Sequence, residues 1–177
     1  MDAKYEPATE TQQVRRLLQA AVDHYPRLLA VEFSLQFPLP VIRTDLENII
    51  PVLLSAIASL TGEYADQRQA AGKPAPPTLL RAIWGYQGRG IQMLLMLNRD
   101  TFCHPRRDKF STEEDIRSLL FRACDEASPQ LDNATLIFPA APTVQICRQP
   151  GEQFTLQFAE LHDRANNLSS VLSLQIG

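Results

Sequence analysis

From Leu28 to Phe37 apolar and smaller or polar positions alternate without a break. Leu29, Val31, Phe33, Leu35 and Phe37 share one parity; Ala30, Glu32, Ser34 and Gln36 share the other. A period of two predicts a strand with one face in the core and one face wet or functional. Upstream, Val14, Leu17, Leu18, Ala21 and Val22 recur at helical spacing behind a Thr9-x-x-Gln12 capping box, which predicts a helix over 9–24 that Pro26 ends. A second box, Thr44-x-x-Glu47, opens a helix whose apolar positions are Leu46, Ile49, Ile50, Leu53, Leu54, Ile57 and Leu60. Pro51 lies past its first turn and is expected to kink it or to mark its true start. The chain then turns polar from Glu63 to Gln69 and runs into the stiff connector Gly72-Lys73-Pro74-Ala75-Pro76-Pro77.

Two further strands, 79–86 and 91–97, flank a glycine-rich hairpin at 87–90. A loop at 102–110 carries His104, Arg106, Arg107 and Lys109. Ser111-x-x-Glu114 then starts a helix built on Ile116, Leu119, Leu120, Ala123 and Cys124. Short strands are predicted at 134–138, 144–148 and 154–158, and a last helix over 160–173. The expected fold class is α+β. The β-α-β-β-α-β order of the middle is the ferredoxin-like split pattern, an antiparallel sheet with helices on one face. An N-terminal helix and a C-terminal strand and helix are added to it. A single domain over 1–177 is expected: 1–25 the first helix, 28–158 the core with its extra strand, 160–177 the closing helix.

Composition narrows the function classes. The net charge of −3 lacks the basic excess of a generic nucleic-acid binder. Cys103, Cys124 and Cys147 are odd in number and far apart, so neither a disulfide framework nor a zinc ribbon is indicated. The start, Met-Asp-Ala-Lys-Tyr-Glu, is unlike a signal peptide, and no apolar run approaches the roughly 18 residues of a membrane span. A cytoplasmic location without membrane contact is expected, and no cofactor. His24 and His162 stand alone in the sequence, and no phosphate loop, nucleophile elbow or HExxH motif is present.

The most specific stretch is Gly88-Arg89-Gly90-Ile91-Gln92-Met93-Leu94-Leu95-Met96-Leu97-Asn98-Arg99-Asp100, with Ile83-Trp84 ahead of it. It resembles the central strand of the YagK/YfjJ-type proteins, relatives of the inovirus replication initiators, whose version ends "LLLLNKD". The resemblance implies a bacterial mobile-element protein with the ferredoxin-like core of a DNA-nicking enzyme. In that family the strand opens with His-hydrophobe-His, which binds a divalent metal. Here Gly90, Ile91 and Gln92 hold those places. Glycine offers no ligand and glutamine a weak neutral one. The family's nucleophilic tyrosine follows the metal strand, whereas Tyr5, Tyr25, Tyr64 and Tyr86 all precede it. No catalytic residue and no metal ligand is therefore carried over; Gly90 and Gln92 are vestigial metal-strand positions.

Two functions follow as expectations. One is a non-catalytic initiator relative that binds DNA as a replication or regulatory factor of a mobile element. The other is a protein-interaction factor of a phage, plasmid or island that targets a host protein through the same sheet face. Both place the contacts on an open face lined by Glu32, Ser34, Gln92 and Trp84. Arg106, Arg107 and Lys109 stand at its edge for phosphate or partner contacts.

Overall fold

The computed structural model describes residues 10–76, 79–87, 89–103, 109–127, 129–131, 133–149, 151–168 and 172–176. The elements are α1 (Glu10–His24), β1 (Arg27–Gln36), α2 (Arg43–Ala70), β2 (Leu80–Gln87), β3 (Gly90–Asn98), the one-turn α3 (Arg99–Phe102), α4 (Lys109–Ala127), β4 (Thr135–Ile137), β5 (Thr143–Cys147), α5 (Glu152–Asn166) and β6 (Leu172–Ile176). The fold is α+β. Every strand pair is antiparallel, in the order β4-β1-β3-β2-β6, with β5 also paired to β1. β4 and β5 pair successive stretches of β1, so they act as one broken strand. Residues 138–142 leave the sheet between them, and Pro142 accepts the Glu32 N–H at 2.8 Å. Counted as one, they complete the ferredoxin-like order, to which β6 adds an edge.

One face of the sheet follows the odd positions of β1. Leu29, Val31, Phe33 and Leu35 meet Ile91, Met93, Leu95 and Leu97 in one core beneath α2 and α4. Among the expected core residues, Leu29, Val31, Phe33, Ile91, Met93 and Leu95 are each at most 3% exposed. Trp84 belongs to this same core at 4% exposure.

The other face departs from expectation, because it carries helices too. Val14, Leu18, Ala21 and Val22 of α1, with Leu161 and Ala165 of α5, pack on Leu28, Ala30, Ile83, Leu94, Met96, Val144 and Ile146. The sheet is thus sandwiched over this part. That explains why β3 is apolar at consecutive positions: a strand covered on both faces has no wet side to alternate with.

Local chemistry accounts for the other departures. Residues 154–158 are helix, not strand, and the last strand comes after that helix. Phe154, Phe158, Leu161 and Ala165 stand at i, i+4, i+7 and i+11, a helical stripe that also satisfies period two over its first five residues. α2 runs unbroken through Pro51. Pro51 and Glu47 are both exposed, so the Glu47 carbonyl that loses its helical donor faces water. The polar run Glu63–Gln69 continues α2, turning Ala65 and Arg68 inward. α2 begins at Arg43 behind Ile42, with no side-chain cap; Arg43 pairs with Glu47 at 3.0 Å instead. Ser111 lies inside α4, two residues past its start. The Thr9 box lies outside the described residues. α2 is long and apolar enough to pass as a membrane span, yet its apolar stripe is used up in the core.

Candidate functional site

The even positions of β1 and β3 bring Glu32, Ser34 and Gln92 onto one face, where Ser34 and Gln92 are direct cross-strand partners. α5 reaches this part of the face through Arg164. The three side chains are half-buried rather than open. Glu32 is engaged: Arg164 of α5 donates from Nη1 to the Glu32 carboxylate at 3.0 Å and to the Ala141 carbonyl at 2.7 Å. Its Nη2 donates to Glu160 at 3.0 Å. One guanidinium thus fastens α5, β1 and the 138–142 excursion together. Glu32 is a fastening residue, not an open contact. Beside it, Gln92 buries its Oε1 without a hydrogen-bond partner. Such an acceptor costs about 1–3 kcal/mol unless something donates to it.

Gly90 does not open onto this face. A Cβ there would fall 1.8 Å from the Leu35 carbonyl oxygen and 2.9 Å from its carbon. Any side chain at 90 would run into the β1 backbone. Position 90 is therefore a glycine by steric necessity. Among the described residues, no three His, Cys, Asp or Glu side chains come together as a metal site.

The other expected contacts separate from Ser34 and Gln92. Trp84 pairs with Met93 and points to the opposite face, so it cannot stack on a ligand there. Lys109 approaches Glu113 at 3.9 Å, and Glu113 accepts from Thr143 at 3.0 Å. Thr143 is the cross-strand partner of Val31, which places this group on the α2–α4 side. Arg106 and Arg107 lie outside the described residues, as does His104. His162 is bound to Asn166 at 3.0 Å on the surface of α5.

A cleft that the sequence reading missed lies at the other end of the sheet. It encloses about 750 Å³ between His24, Tyr25, Pro26, Arg27, Pro76, Leu79, Asn98 and Asp100. Asn98 and Asp100 line it together: Asn98 caps α3 by accepting from the Asp100 N–H at 3.0 Å, and Asp100 pairs with Arg27 at 3.0 Å. Tyr25 accepts from the Leu79 N–H, and His24 meets the Tyr25 ring edge-on at 4.5 Å. Polar Asn98 and Asp100 at the close of a buried strand were the sequence signal for this site. Two thiols on the α2–α4 side are raised by burial. Cys103 is pushed up by desolvation, partly offset by Arg99, and Cys124 is pushed up to about 11 by desolvation and then by Asp125.

A family model described as Uncharacterised conserved protein UCP030791 matches residues 5–128, from α1 through α4, and the chain belongs to that family. No curated protein and no solved structure matches the chain.

Proposed function

We propose that this family member is a non-catalytic relative of the YagK/YfjJ-type replication initiators, which binds DNA as a replication or regulatory factor of a mobile element. The likeness of Ile83-Trp84 and Leu94-Leu95-Met96-Leu97-Asn98-Arg99-Asp100 to that family's central strand supports the ancestry, and so does the β-α-β-β-α-β order. The observation that carries the loss of chemistry is Gly90. The β1 backbone occupies the space that a first metal-binding side chain would need. Without paired ligands, the Lewis-acid and positioning roles of a metal have nothing to hold them. The described tyrosines are structural: Tyr86 donates to the Val41 carbonyl and Tyr64 to Asp115, each at 2.9 Å, and Tyr25 anchors Leu79.

The test is incubation with single-stranded origin-type DNA and Mn²⁺ or Mg²⁺, followed on a denaturing gel and by fluorescence anisotropy. Binding without a covalent adduct, unchanged by chelation, is expected. A covalent protein–DNA adduct would overturn the proposal.

A second reading, a factor that targets a host protein, is favoured by one observation. Phe121, 52% exposed, meets Phe138 edge-on at 6.5 Å, and Arg117 stacks over Phe138 at 4.3 Å, beside the short strand β4. Aromatic and arginine groups of this kind anchor protein interfaces. Capture from nuclease-treated lysate that depends on Phe121 would support this reading against the first.

A further inference from the structure

We propose that the cleft between the ends of α1 and β3 takes a single nucleobase, held by its apolar walls and read at its edge by Asn98 and Asp100. That the base belongs to a single-stranded nucleic acid rests on the reading above; the site rests on the cleft itself. The observation that carries it is the Asn98 amide. Asn98 is 9% exposed, and its Oδ1 is taken by the Asp100 N–H at 3.0 Å. Its Nδ2 bonds to no described residue, and Asn98 lines the cleft. A nearly buried donor is thus presented to whatever enters.

Asp100 supplies the complement. Its Oδ2 pairs with Arg27 at 3.0 Å, which leaves Oδ1 to accept. The Asn98–Asp100 bond ties both groups into one turn, so a donor and an acceptor stand side by side. A base that has left its stack presents the matching pair along its Watson–Crick edge, a ring nitrogen or carbonyl oxygen beside an N–H. Net charge does not select the occupant, because Arg27 and Asp100, the charged pair that lines the cleft, neutralise each other.

The walls suit the flat faces of a base. Pro26, Pro76 and Leu79 are apolar, and such surfaces hold an unstacked base by its faces. Two of these walls are fixed in advance. The Pro76 carbonyl accepts from the buried Thr101 hydroxyl at 2.7 Å, and the Leu79 N–H bonds to the Tyr25 hydroxyl. The volume of about 750 Å³ falls within the usual range of small-molecule sites, about 300–1,000 Å³.

The experiment is titration calorimetry with three probes: a mixed-sequence single-stranded DNA oligonucleotide, a sugar-phosphate strand of equal length without bases, and deoxyadenosine monophosphate. Four forms of the full chain are compared. They are the unaltered chain, Asn98→Asp, Asp100→Ala and Gln92→Ala. Asn98→Asp keeps the oxygen that caps α3 and loses the donor. Asp100→Ala removes the acceptor at a side chain that is 35% exposed, and leaves the backbone N–H of the cap in place. The readout is the affinity ratio of the base-bearing to the baseless strand, which cancels changes in charge. The unaltered chain should prefer the base-bearing strand by about tenfold or more. That ratio should fall toward one in both cleft variants and hold in Gln92→Ala. Circular dichroism checks that each variant is folded. A ratio near one in the unaltered chain overturns the proposal and leaves the DNA reading standing, as does a ratio unchanged in both cleft variants. Mononucleotide binding as tight as that of the strand, lost on the same substitutions, keeps the site and overturns the DNA reading. Absence of binding to every probe overturns both.

Discussion

A methyl group at position 90 has nowhere to go, because the Leu35 carbonyl fills its place at 1.8 Å. Gly90→Ala must push β1 and β3 apart at the longest pairing in the sheet, which runs from Leu28↔Asn98 to Gln36↔Gly90. A loss of about 3 kcal/mol is expected, read from urea denaturation. Putting histidines at 90 and 92 together should cost as much and still give no Mn²⁺ binding by calorimetry. Cys124 supplies a residue-scale test in pH. Its thiol is raised from 9.0 to about 11 in the fold, while the unfolded chain keeps the ordinary value. Between those two values the unfolded chain has lost the proton and the fold has not. This group therefore makes the fold less stable as pH rises from about 9 toward about 11. The urea midpoint should fall over that range, and Cys124→Ala should make the fall smaller.

At the scale of elements, tertiary packing overrides local signals in two places. Thr44-x-x-Glu47 reads as a capping box, yet α2 starts before it and Glu47 turns to Arg43. Thr44→Ala should therefore change stability by less than about 0.5 kcal/mol, against the roughly 1 kcal/mol of a true N-cap. Residues 154–158 satisfy two periods at once, and the choice was made by Leu161 and Ala165, which continue the stripe only as a helix. Leu161 is fully buried under the sheet, so Leu161→Ala should cost about 2–5 kcal/mol in the same denaturation experiment. A strand at 154–158 would leave position 161 indifferent to truncation.

At the scale of the molecule, the second helical layer matters most. α1 covers Leu28, Ala30, Leu94 and Met96, and the expectation of an open sheet face failed over this area. Deleting residues 1–25 should expose that apolar surface, giving a chain that binds a hydrophobic dye and aggregates where the full chain does not. The same layer brings α5 across the sheet to clasp Glu32 through Arg164, two residues 132 positions apart. No pattern within either segment specifies that meeting.

The sequence by itself determined the parts that depend on short-range periodicity: the paired strands β1, β2 and β3, the helices α1, α2 and α4, and the core of Leu29, Val31, Phe33, Ile91, Met93 and Leu95. Backbone geometry alone sorts those side chains to one face. The uninterrupted run Met93–Leu97 marked a buried strand, but the expectation of an open face beside it did not hold. Only the tertiary structure decided which helices supply the second cover, that Trp84 turns away from Gln92, and that Glu32 is already paired. Charge and contact between distant segments follow from the path of the chain in space, and a one-dimensional pattern does not encode it.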